Sequence, residues 1–305
     1  MTTDLEARPL CAEASRESTE PLAATASHIE NWILLEYRGL WTRDIVGGSG
    51  LSDQVKAYLR EQLTALPRSR LLFIRRPERR QHPGYALYVA RTTERGSHVL
   101  GAEVEAYPDL LGLDLAGALE TGAADWARPV EGPLLVVCTH GKRDRCCAKF
   151  GRPLYDAVRE QTEEDTVWQA SHVGGDRFAG NLVSLPDGLY FGRVERAEAW
   201  ALLDEVLAGR IPLEHYRGRS CYSFAEQAAE RAVREGTGAT APDDLALVSS
   251  EPEGDGWLVR FEVAGEMHEV DVAAELGVPA YLTCDAARPS RPRRFVVRGH
   301  RVLSR

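Results

Sequence analysis

The sequence of 305 residues predicts an α/β fold of two similar lobes, followed by a small α+β appendage. Short runs of apolar, β-branched and aromatic residues alternate with longer amphipathic segments, which is typical of units that pack helices against a sheet. The order of these segments near residue 30 returns in a more complete form near residue 131. The composition, with 44% hydrophobic and 27% charged residues, is that of an ordinary globular protein.

Residues 29–125 form the first predicted lobe. Its predicted elements are a strand at Trp32–Tyr37, a helix at Ser52–Leu66, and strands at Arg70–Ile74, Tyr85–Ala90 and His98–Tyr107. The helix begins at a candidate N-cap, Ser52, and residues Val55, Leu59 and Leu63 fall on one face of it. Residues 1–28 are expected to be a disordered leader, because they mix acidic and small residues and contain no continuous apolar segment.

Residues 126–210 form the second predicted lobe. Its predicted elements are a strand at Leu134–Val137, a helix at Cys147–Glu160, strands at Val167–Ala170, Leu182–Leu185 and Leu189–Phe191, and a helix at Glu195–Leu207. The uninterrupted apolar run of the first strand is typical of the buried middle of a sheet. Pro186-Asp-Gly188 is a strong turn signal. This β-α-β-β-β-α order is close to a thioredoxin-like topology, so the first lobe is interpreted as a degenerate copy.

Residues 211–305 are predicted to form the α+β appendage. A helix at Ser223–Glu235 precedes short strands near Leu245–Ser249, Trp257–Val263 and Glu266–Val272, and the tail from Arg288 onward is basic. No pattern in this region indicates a chemical function.

The second lobe contains the residues that indicate a metal or redox site. Three of the six cysteines fall within the segment Cys138-Thr-His-Gly-Lys-Arg-Asp-Arg-Cys146-Cys147, directly after an apolar strand. Further along the chain, a Gly-rich segment reads Ser171-His172-Val-Gly-Gly-Asp176. Thiols at the end of a buried strand, together with a His on a Gly-rich loop, are what a soft metal centre or a redox thiol requires.

The candidate ligands are Cys138, Cys147 and His172, with Cys146 or Asp176 as the fourth. A helix start and the neighbouring Arg143 and Arg145 would favour ionised thiols here. The remaining cysteines, Cys11, Cys221 and Cys284, are isolated in the sequence and are interpreted as inert. His140 is interpreted as a structural loop residue.

Two other kinds of site are weighed against an iron–sulfur centre. Zinc could be held by two thiols and a His, but the paired C-x₂-C spacing of strong zinc motifs is absent from the sequence. A dithiol oxidoreductase would use a C-x-x-C motif at a helix start, and the chain has none.

The net charge of −9 and the isoelectric point near 5.5 argue against general affinity for nucleic acid or anionic membranes, since both need a basic face. No apolar run approaches the roughly 20 residues of a membrane span. With no secretory signal visible, the expected location is a reducing cytoplasm, where clustered cysteines are more often metal-binding or redox-active than disulfide-bonded.

At these motifs the sequence resembles the sucrase/ferredoxin-like family, whose bacterial and fungal members carry a thioredoxin-like ferredoxin domain. The resemblance covers about residues 29–210 and rests on Cys138–Ala148, Ser171–Asn181, Leu185–Gly192, Trp32–Tyr37 and Trp41–Asp44. It implies a [2Fe–2S] cluster held by two Cys of the first motif and by ligands of the second. Fungal relatives carry His-x-Gly-Gly-His in the second motif. Here those positions hold His172 and Asp176, so the first His carries over and the second does not.

The predicted function is therefore electron transfer by a [2Fe–2S] protein with mixed ligation. Cys138 and Cys147 would hold one iron, and His172 with Cys146 or Asp176 the other. An electron carrier is favoured over a stand-alone enzyme, and no catalytic residue is assigned. Two alternatives stay open: a metal-free thiol-dependent oxidoreductase, and a non-catalytic adaptor with a structural zinc or an empty site. The expected partner is a redox protein of unknown identity.

Overall fold

The computed structural model describes residues 8–76 and 82–303, so the first seven residues of the predicted leader lie outside it. The rest of that segment differs from the predicted disorder. Helix α1 (Cys11–Glu17) buries Cys11, Ala12 and Ser15. Nearby, the buried Glu20 forms an ion pair with the partly buried Arg177, with 2.9 Å between the Oε1 and Nε atoms. Side chains of residues 8–28 contact side chains of the second lobe, and these contacts hold the segment against that lobe.

The first lobe contains the predicted elements and one further helix. It consists of β1 (Asn31–Glu36), α2 (Asp53–Ala65), β2 (Ser69–Arg75), β3 (Tyr85–Arg91), β4 (His98–Val104) and α3 (Leu115–Thr121). β1 pairs parallel with β2 and antiparallel with β3, which pairs antiparallel with β4. Helix α2 begins after the predicted cap, because the Ser52 hydroxyl accepts a hydrogen bond from the Val55 amide at 3.3 Å.

The second lobe repeats this arrangement. It follows the short edge strand β5 (Arg128–Pro129) and consists of β6 (Leu134–Cys138), α4 (Arg145–Arg159), β7 (Val167–Ala170), β8 (Leu182–Leu185), β9 (Leu189–Phe191) and α5 (Ala199–Leu207). β6 is parallel to β7 and antiparallel to β8, and β8 is antiparallel to β9. The spatial order β9-β8-β6-β7 matches β4-β3-β1-β2 of the first lobe. The prediction of two thioredoxin-like lobes in an α/β fold is confirmed by this topology.

The two lobes share one continuous sheet, which the sequence did not predict. β2 pairs antiparallel with β7, so that Ile74 lies opposite Ala170 and Arg75 opposite Gln169. With β10 (Tyr216–Arg219) at one edge, the sheet in the described residues has the order β10-β9-β8-β6-β7-β2-β1-β3-β4-β5. The junction strands are equivalent in the two lobes. The lobes therefore meet edge to edge like two copies of one unit.

The C-terminal region forms a second sheet, which is covered by a helix. It consists of α6 (Phe224–Thr237), β11 (Leu245–Glu253), β12 (Gly256–Val263), β13 (Glu266–Leu276) and β14 (Arg293–Leu303), with all neighbouring strands antiparallel. β14 was not predicted, because its many Arg residues hide the strand pattern. The connection between β13 and β14, residues 277–292, leaves this sheet and reaches the second lobe, where the Cys284 amide donates to Asp144 Oδ2 at 2.7 Å.

Alternation along β6 places Cys138 in a core that both lobes share. Leu134, Val136 and Cys138 face a cluster that also contains Trp32 of the first lobe and Trp168 of β7. The intervening side chains of β6 pack instead with residues of α4 and α5. Because side chains alternate between the faces of a sheet, Cys138, the last residue of β6, directs its thiol into the core that both lobes share.

Candidate metal centre

Strand register brings Cys138 beside the loop that carries His172. Cys138 lies opposite Ala170 in the parallel pair of β6 and β7. The Cys138 amide donates to the carbonyl of Asn181 at 3.0 Å, and the next amide, Thr139, donates to the carbonyl of Ala170 at 3.1 Å. The carboxyl ends of two parallel strands therefore meet at one edge of the sheet, and the two sequence motifs meet with them.

The first turn of α4 positions Cys147. Asp144 caps this helix, and its Oδ1 accepts a hydrogen bond from the Cys146 amide at 2.8 Å. Two adjacent residues in a helix point about 100° apart, so Cys146 and Cys147 face different surroundings. Cys147 joins the shared core with Cys138, whereas Cys146 belongs to a separate cluster.

The Gly-Gly pair shapes the loop between His172 and Asp176. Gly174 and Gly175 have φ of 105° and 79°, which L side chains rarely adopt. A Cβ atom on Gly175 would also collide with the guanidinium of Arg217. That guanidinium donates to the carbonyl of Gly174 at 3.1 Å and to Asn181 Oδ1 at 2.9 Å. The buried arginine therefore holds the loop in the shape that turns both side chains towards Cys147.

Four predicted site residues converge in this region. One donor atom from each of Cys138, Cys147 and His172 lies within 4.8 Å of the others. Asp176 Oδ1 accepts a hydrogen bond from the Cys147 thiol at 3.2 Å and lies 2.9 Å from His172 Nδ1. Both thiols are at most 1% exposed and the Asp176 side chain is 3% exposed, while the His172 side chain is 22% exposed. The imidazole is thus the most accessible of the four groups.

The pKa shifts of these four groups favour a Cys138 thiolate and an Asp176 carboxylate beside a protonated His172 and a protonated Cys147 thiol. A hydrogen bond with Cys147 lowers the pKa of Cys138 well below its ordinary value, with help from His172 and against the effect of burial. The hydrogen bond with Cys138, together with burial, raises the pKa of Cys147. Burial opposes protonation of His172, but Asp176 and Cys138 outweigh it and raise the pKa of this imidazole to about 9. Asp176 keeps a lowered pKa despite burial, because of its contact with His172.

Cys146, predicted as one possible fourth ligand, lies elsewhere. Its Sγ atom is 3.5 Å from Sγ of Cys11 and 3.4 Å from Sγ of Cys284. The interpretation of those two cysteines as isolated was wrong, because the fold brings them together. No local spacing could have indicated this, since they are 135 and 138 residues from Cys146 along the chain.

His140 has no place among the converging side chains. It is 2% exposed, and its Nε2 atom lies 3.3 Å from the carbonyl oxygen of Trp41, in a ring contact with the Trp41 indole. Burial lowers the pKa of His140. The remaining cysteine, Cys221, is partly buried and belongs to neither cysteine cluster of the described residues.

Comparison with known proteins agrees with the motifs. A family model described as sucrase/ferredoxin-like matches residues 22–218, which is more than half of the chain and includes both lobes. The chain belongs to the sucrase/ferredoxin-like family. The predicted resemblance is thereby confirmed. None of the helices within residues 8–76 and 82–303 has the length and apolar character needed to cross a lipid bilayer.

Relatives of this sucrase/ferredoxin-like chain include two fungal proteins called altered inheritance of mitochondria protein 32. The protein of Eremothecium gossypii is 31% identical over 116 residues, which is 33% of this chain and 37% of the relative. The protein of Debaryomyces hansenii is 33% identical over 95 residues, or 28% and 35%. The match thus spans about a third of these relatives. A thioredoxin-like [2Fe–2S] ferredoxin from Aquifex aeolicus aligns at 16% identity over 30% of this chain and 94% of that one, with a TM-score of 0.26.

Proposed function

We propose that this chain is an electron-transfer protein whose second lobe binds a [2Fe–2S] cluster through Cys138, Cys147, His172 and Asp176. The observation that carries the proposal is the convergence of these four side chains at the end of β6. Membership of the sucrase/ferredoxin-like family supports it. A cytoplasmic location and an unidentified redox partner remain predictions.

The donor set has the chemistry that such a cluster needs. A [2Fe–2S] cluster takes four protein ligands, usually thiolates, and imidazole can replace thiolate on one iron. Cys138, Cys147 and His172 supply three donors of these kinds. The Nδ1 atom of His172 is buried and lies 2.9 Å from the Asp176 carboxylate, so the imidazole and the carboxylate meet beside the two thiols. A buried imidazole nitrogen next to two buried thiols and a carboxylate is consistent with a metal-binding role.

Asp176 is the better candidate for the fourth ligand. Its carboxylate contacts Cys147 and His172 directly, whereas the Cys146 thiol contacts two other cysteines. Carboxylate is an uncommon ligand for iron–sulfur clusters, so this position is where the chain departs most from the thiolate pattern.

The bound cluster would supply the ability to accept and release a single electron. The protein would keep water from the thiolates, since Cys138 and Cys147 are buried among the aromatic and aliphatic side chains of the shared core. His172 is the most exposed group of the four, so a redox partner would approach on its side. The net charge of −9 suits a partner with a basic docking surface.

A thiol-dependent oxidoreductase is the second candidate, and the lowered pKa of Cys138 favours it, because a thiolate is the reactive form of cysteine. The burial of Cys138 counts against this function. The Cys138 side chain is 1% exposed, so a substrate thiol or disulfide has no access to its sulfur without a rearrangement of the loop. We therefore rank this function below the electron carrier.

The test is a visible spectrum combined with iron and zinc analysis, on full-length protein purified without oxygen. The proposal expects a reducible [2Fe–2S] chromophore with about two irons per chain. Asp176→Ala should make the cluster unstable, and Cys146→Ser should leave the chromophore in place. Cys221→Ser is the matched control, because this cysteine lies outside both cysteine clusters.

Three outcomes would contradict the proposal in different ways. If the chromophore were lost in Cys146→Ser but kept in Asp176→Ala, the fourth ligand would be Cys146 and not Asp176. A colourless protein with zinc bound by Cys138 and Cys147 would make the centre structural. A colourless protein without metal at this site after cluster reconstitution, with rapid alkylation of Cys138, would favour the thiol enzyme.

A further inference from the structure

A second group of cysteines lies on the other side of the first turn of α4. The sulfur atoms of Cys11, Cys146 and Cys284 form a nearly equilateral triangle, with Sγ–Sγ distances of 3.5 Å, 3.4 Å and 3.6 Å. The three residues are 2%, 0% and 8% exposed. They come from α1, from α4 and from the connection between β13 and β14, so tertiary folding alone brings the three thiols to one point.

A buried carboxylate completes this group. The two oxygens of Asp144 lie 3.7 Å and 3.8 Å from the Cys11 sulfur, and the Asp144 side chain is 2% exposed. The same carboxylate accepts hydrogen bonds from the amides of Cys146 and Cys284, at 2.8 Å and 2.7 Å. Asp144 therefore fixes the backbone of two cysteine-bearing segments while it faces the third.

We infer that Cys11, Cys146, Cys284 and Asp144 form a tetrahedral site for one Zn²⁺ ion, separate from the centre at Cys138. Zinc binds sulfur at about 2.3 Å and carboxylate oxygen at about 2.0–2.2 Å, so tetrahedral geometry requires sulfurs about 3.8 Å apart and sulfur–oxygen distances of about 3.5–3.6 Å. The Sγ–Sγ distances of the triangle and the distances from the Cys11 sulfur to the Asp144 oxygens are close to these values, and one donor atom from each of the four residues lies within 4.8 Å of the others. One ion would fit with small side-chain shifts.

A disulfide and plain apolar packing both fit the contacts of this cluster less well than a metal ion does. A disulfide needs sulfurs about 2.05 Å apart, and all six cysteines are free. Buried cysteines can act simply as small apolar residues, but then the three thiols would have no reason to converge on one another and on a carboxylate. The Ala12 amide, in addition, donates to the Cys146 sulfur at 3.5 Å, as amides commonly do for metal-bound thiolates.

The ion would fasten α1 and the connection between β13 and β14 to the second lobe. Cys11 belongs to the N-terminal segment and Cys284 to the C-terminal region, and they meet at the helix turn that carries Cys147. Residues 211–305, in which the sequence indicates no chemical function, would then supply one ligand through Cys284. The inference does not depend on the [2Fe–2S] proposal, since the two sites share no ligand.

The first experiment measures zinc in tag-free, full-length protein and in its variants. Wild type should bind about one Zn²⁺ per chain, and Co²⁺ in its place should give the visible bands of a tetrahedral cobalt–thiolate site. Cys11→Ser and Cys284→Ser should each reduce zinc to near zero without removing iron from the other centre. Cys138→Ser should do the reverse, and the control Cys221→Ser should change neither metal.

A second measurement needs no variant and keeps the inference testable if a variant fails to fold. Reduced, chelator-treated wild type is alkylated with and without added Zn²⁺, and mass spectrometry follows each cysteine. Zinc should slow the modification of Cys11, Cys146 and Cys284 at least tenfold relative to Cys221, because bound thiolates are withdrawn from reaction. Equal rates with and without zinc would overturn the inference. So would folded Cys11→Ser and Cys284→Ser proteins that keep all their zinc.

Discussion

Glu36 of the first lobe occupies the position that Cys138 occupies in the second. Glu36 pairs with Ile74 across β1 and β2, just as Cys138 pairs with Ala170 across β6 and β7. Arg76 follows Ile74 by two residues, as His172 follows Ala170. Each lobe thus brings a side chain from the end of its first strand towards one from the loop after its second. In the first lobe this pair is Glu and Arg, and in the second it is Cys and His.

In the first lobe, two arginines of the same lobe neutralise the charge of Glu36. Glu36 is fully buried and forms ion pairs with Arg76 at 3.4 Å and with Arg38 at 3.1 Å. Its Oε2 atom also accepts a hydrogen bond from the Ala86 amide at 3.1 Å. The second lobe instead brings together thiols, an imidazole and a carboxylate, which are metal ligands. The same backbone arrangement therefore brings side chains together in each lobe, and the identity of those side chains decides whether they form a buried ion pair or a metal-binding site.

The connections after the first strands differ as well. In the first lobe residues 37–52 separate β1 from α2, and in the second lobe residues 139–144 separate β6 from α4. The short connection places the first turn of α4, with Cys147, directly beside Cys138. The longer connection of the first lobe is filled by residues such as Trp41 and Val46 that pack into its core.

The largest expected effect comes from removing the thiol that replaces Glu36 in the second lobe. Under the proposed function, Cys138→Ser should abolish the visible chromophore and reduce iron from about two per chain to near zero, because serine is a poor ligand for iron–sulfur clusters. Iron analysis of the purified variant checks this. A Cys138→Ser protein that retained full iron would show that Cys138 is not a ligand of the cluster, and would contradict the proposed difference between Glu36 and Cys138.

Glu36→Ala tests the opposite lobe. It should lower the free energy of unfolding by about 1–3 kcal/mol, because the buried donors of Arg76 and Ala86 lose their acceptor, while Arg76 keeps its ion pair with Asp165 at 3.2 Å. Urea denaturation measures the change. The visible spectrum of the folded fraction should be unaffected, because Glu36 is not among the proposed ligands. The exposed pair of Arg210 and Glu205 provides the control, since solvent screens this pair and Glu205→Ala should leave the free energy of unfolding nearly unchanged. A loss for Glu36→Ala no greater than the control's would mean that the buried pair does not stabilise the first lobe.

His172→Cys sharpens the comparison at the second position of the pair. An iron held by thiolates has a lower reduction potential than one held by imidazole, so we expect a decrease on the order of 100 mV or more, with a changed visible spectrum. A spectroscopic redox titration measures it. His140→Ala is the control, because this buried histidine packs on Trp41 outside the ligand set. An unchanged potential in His172→Cys would remove the imidazole from the proposed ligands.

Gly175→Ala, set against Gly96→Ala, should give the smallest effect. Both glycines have positive φ, 79° and 76°, which costs an L residue roughly 1–2 kcal/mol. A Cβ on Gly96 would meet no atom within 4 Å, whereas one on Gly175 would collide with Arg217. We therefore expect Gly175→Ala to destabilise more than Gly96→Ala in urea denaturation, and to weaken cluster retention. Equal losses of stability would show that Arg217 moves aside at little cost.

Much of this comparison could be predicted from local patterns. Apolar runs and turn signals predicted the strands and helices of both lobes except α3 and the two-residue β5, and the recurring order predicted that one lobe is a copy of the other. The motif from Cys138 to Cys147 and the His-Val-Gly-Gly-Asp segment predicted which side chains would meet. Helix α1 and strand β14 were missed, because short or Arg-rich segments show little periodicity before their packing partners are known.

The sequence by itself determined the secondary structure of the lobes, their shared topology and the chemical character of the Cys138 and His172 motifs, because these depend on residues close together in the chain. Only the tertiary structure decided that β2 and β7 join the lobes into one sheet, and that Cys11, Cys146 and Cys284 meet around Asp144. Such contacts join residues far apart along the chain. They depend on which surfaces fit together after the elements have formed, and local spacing carries no information about that fit.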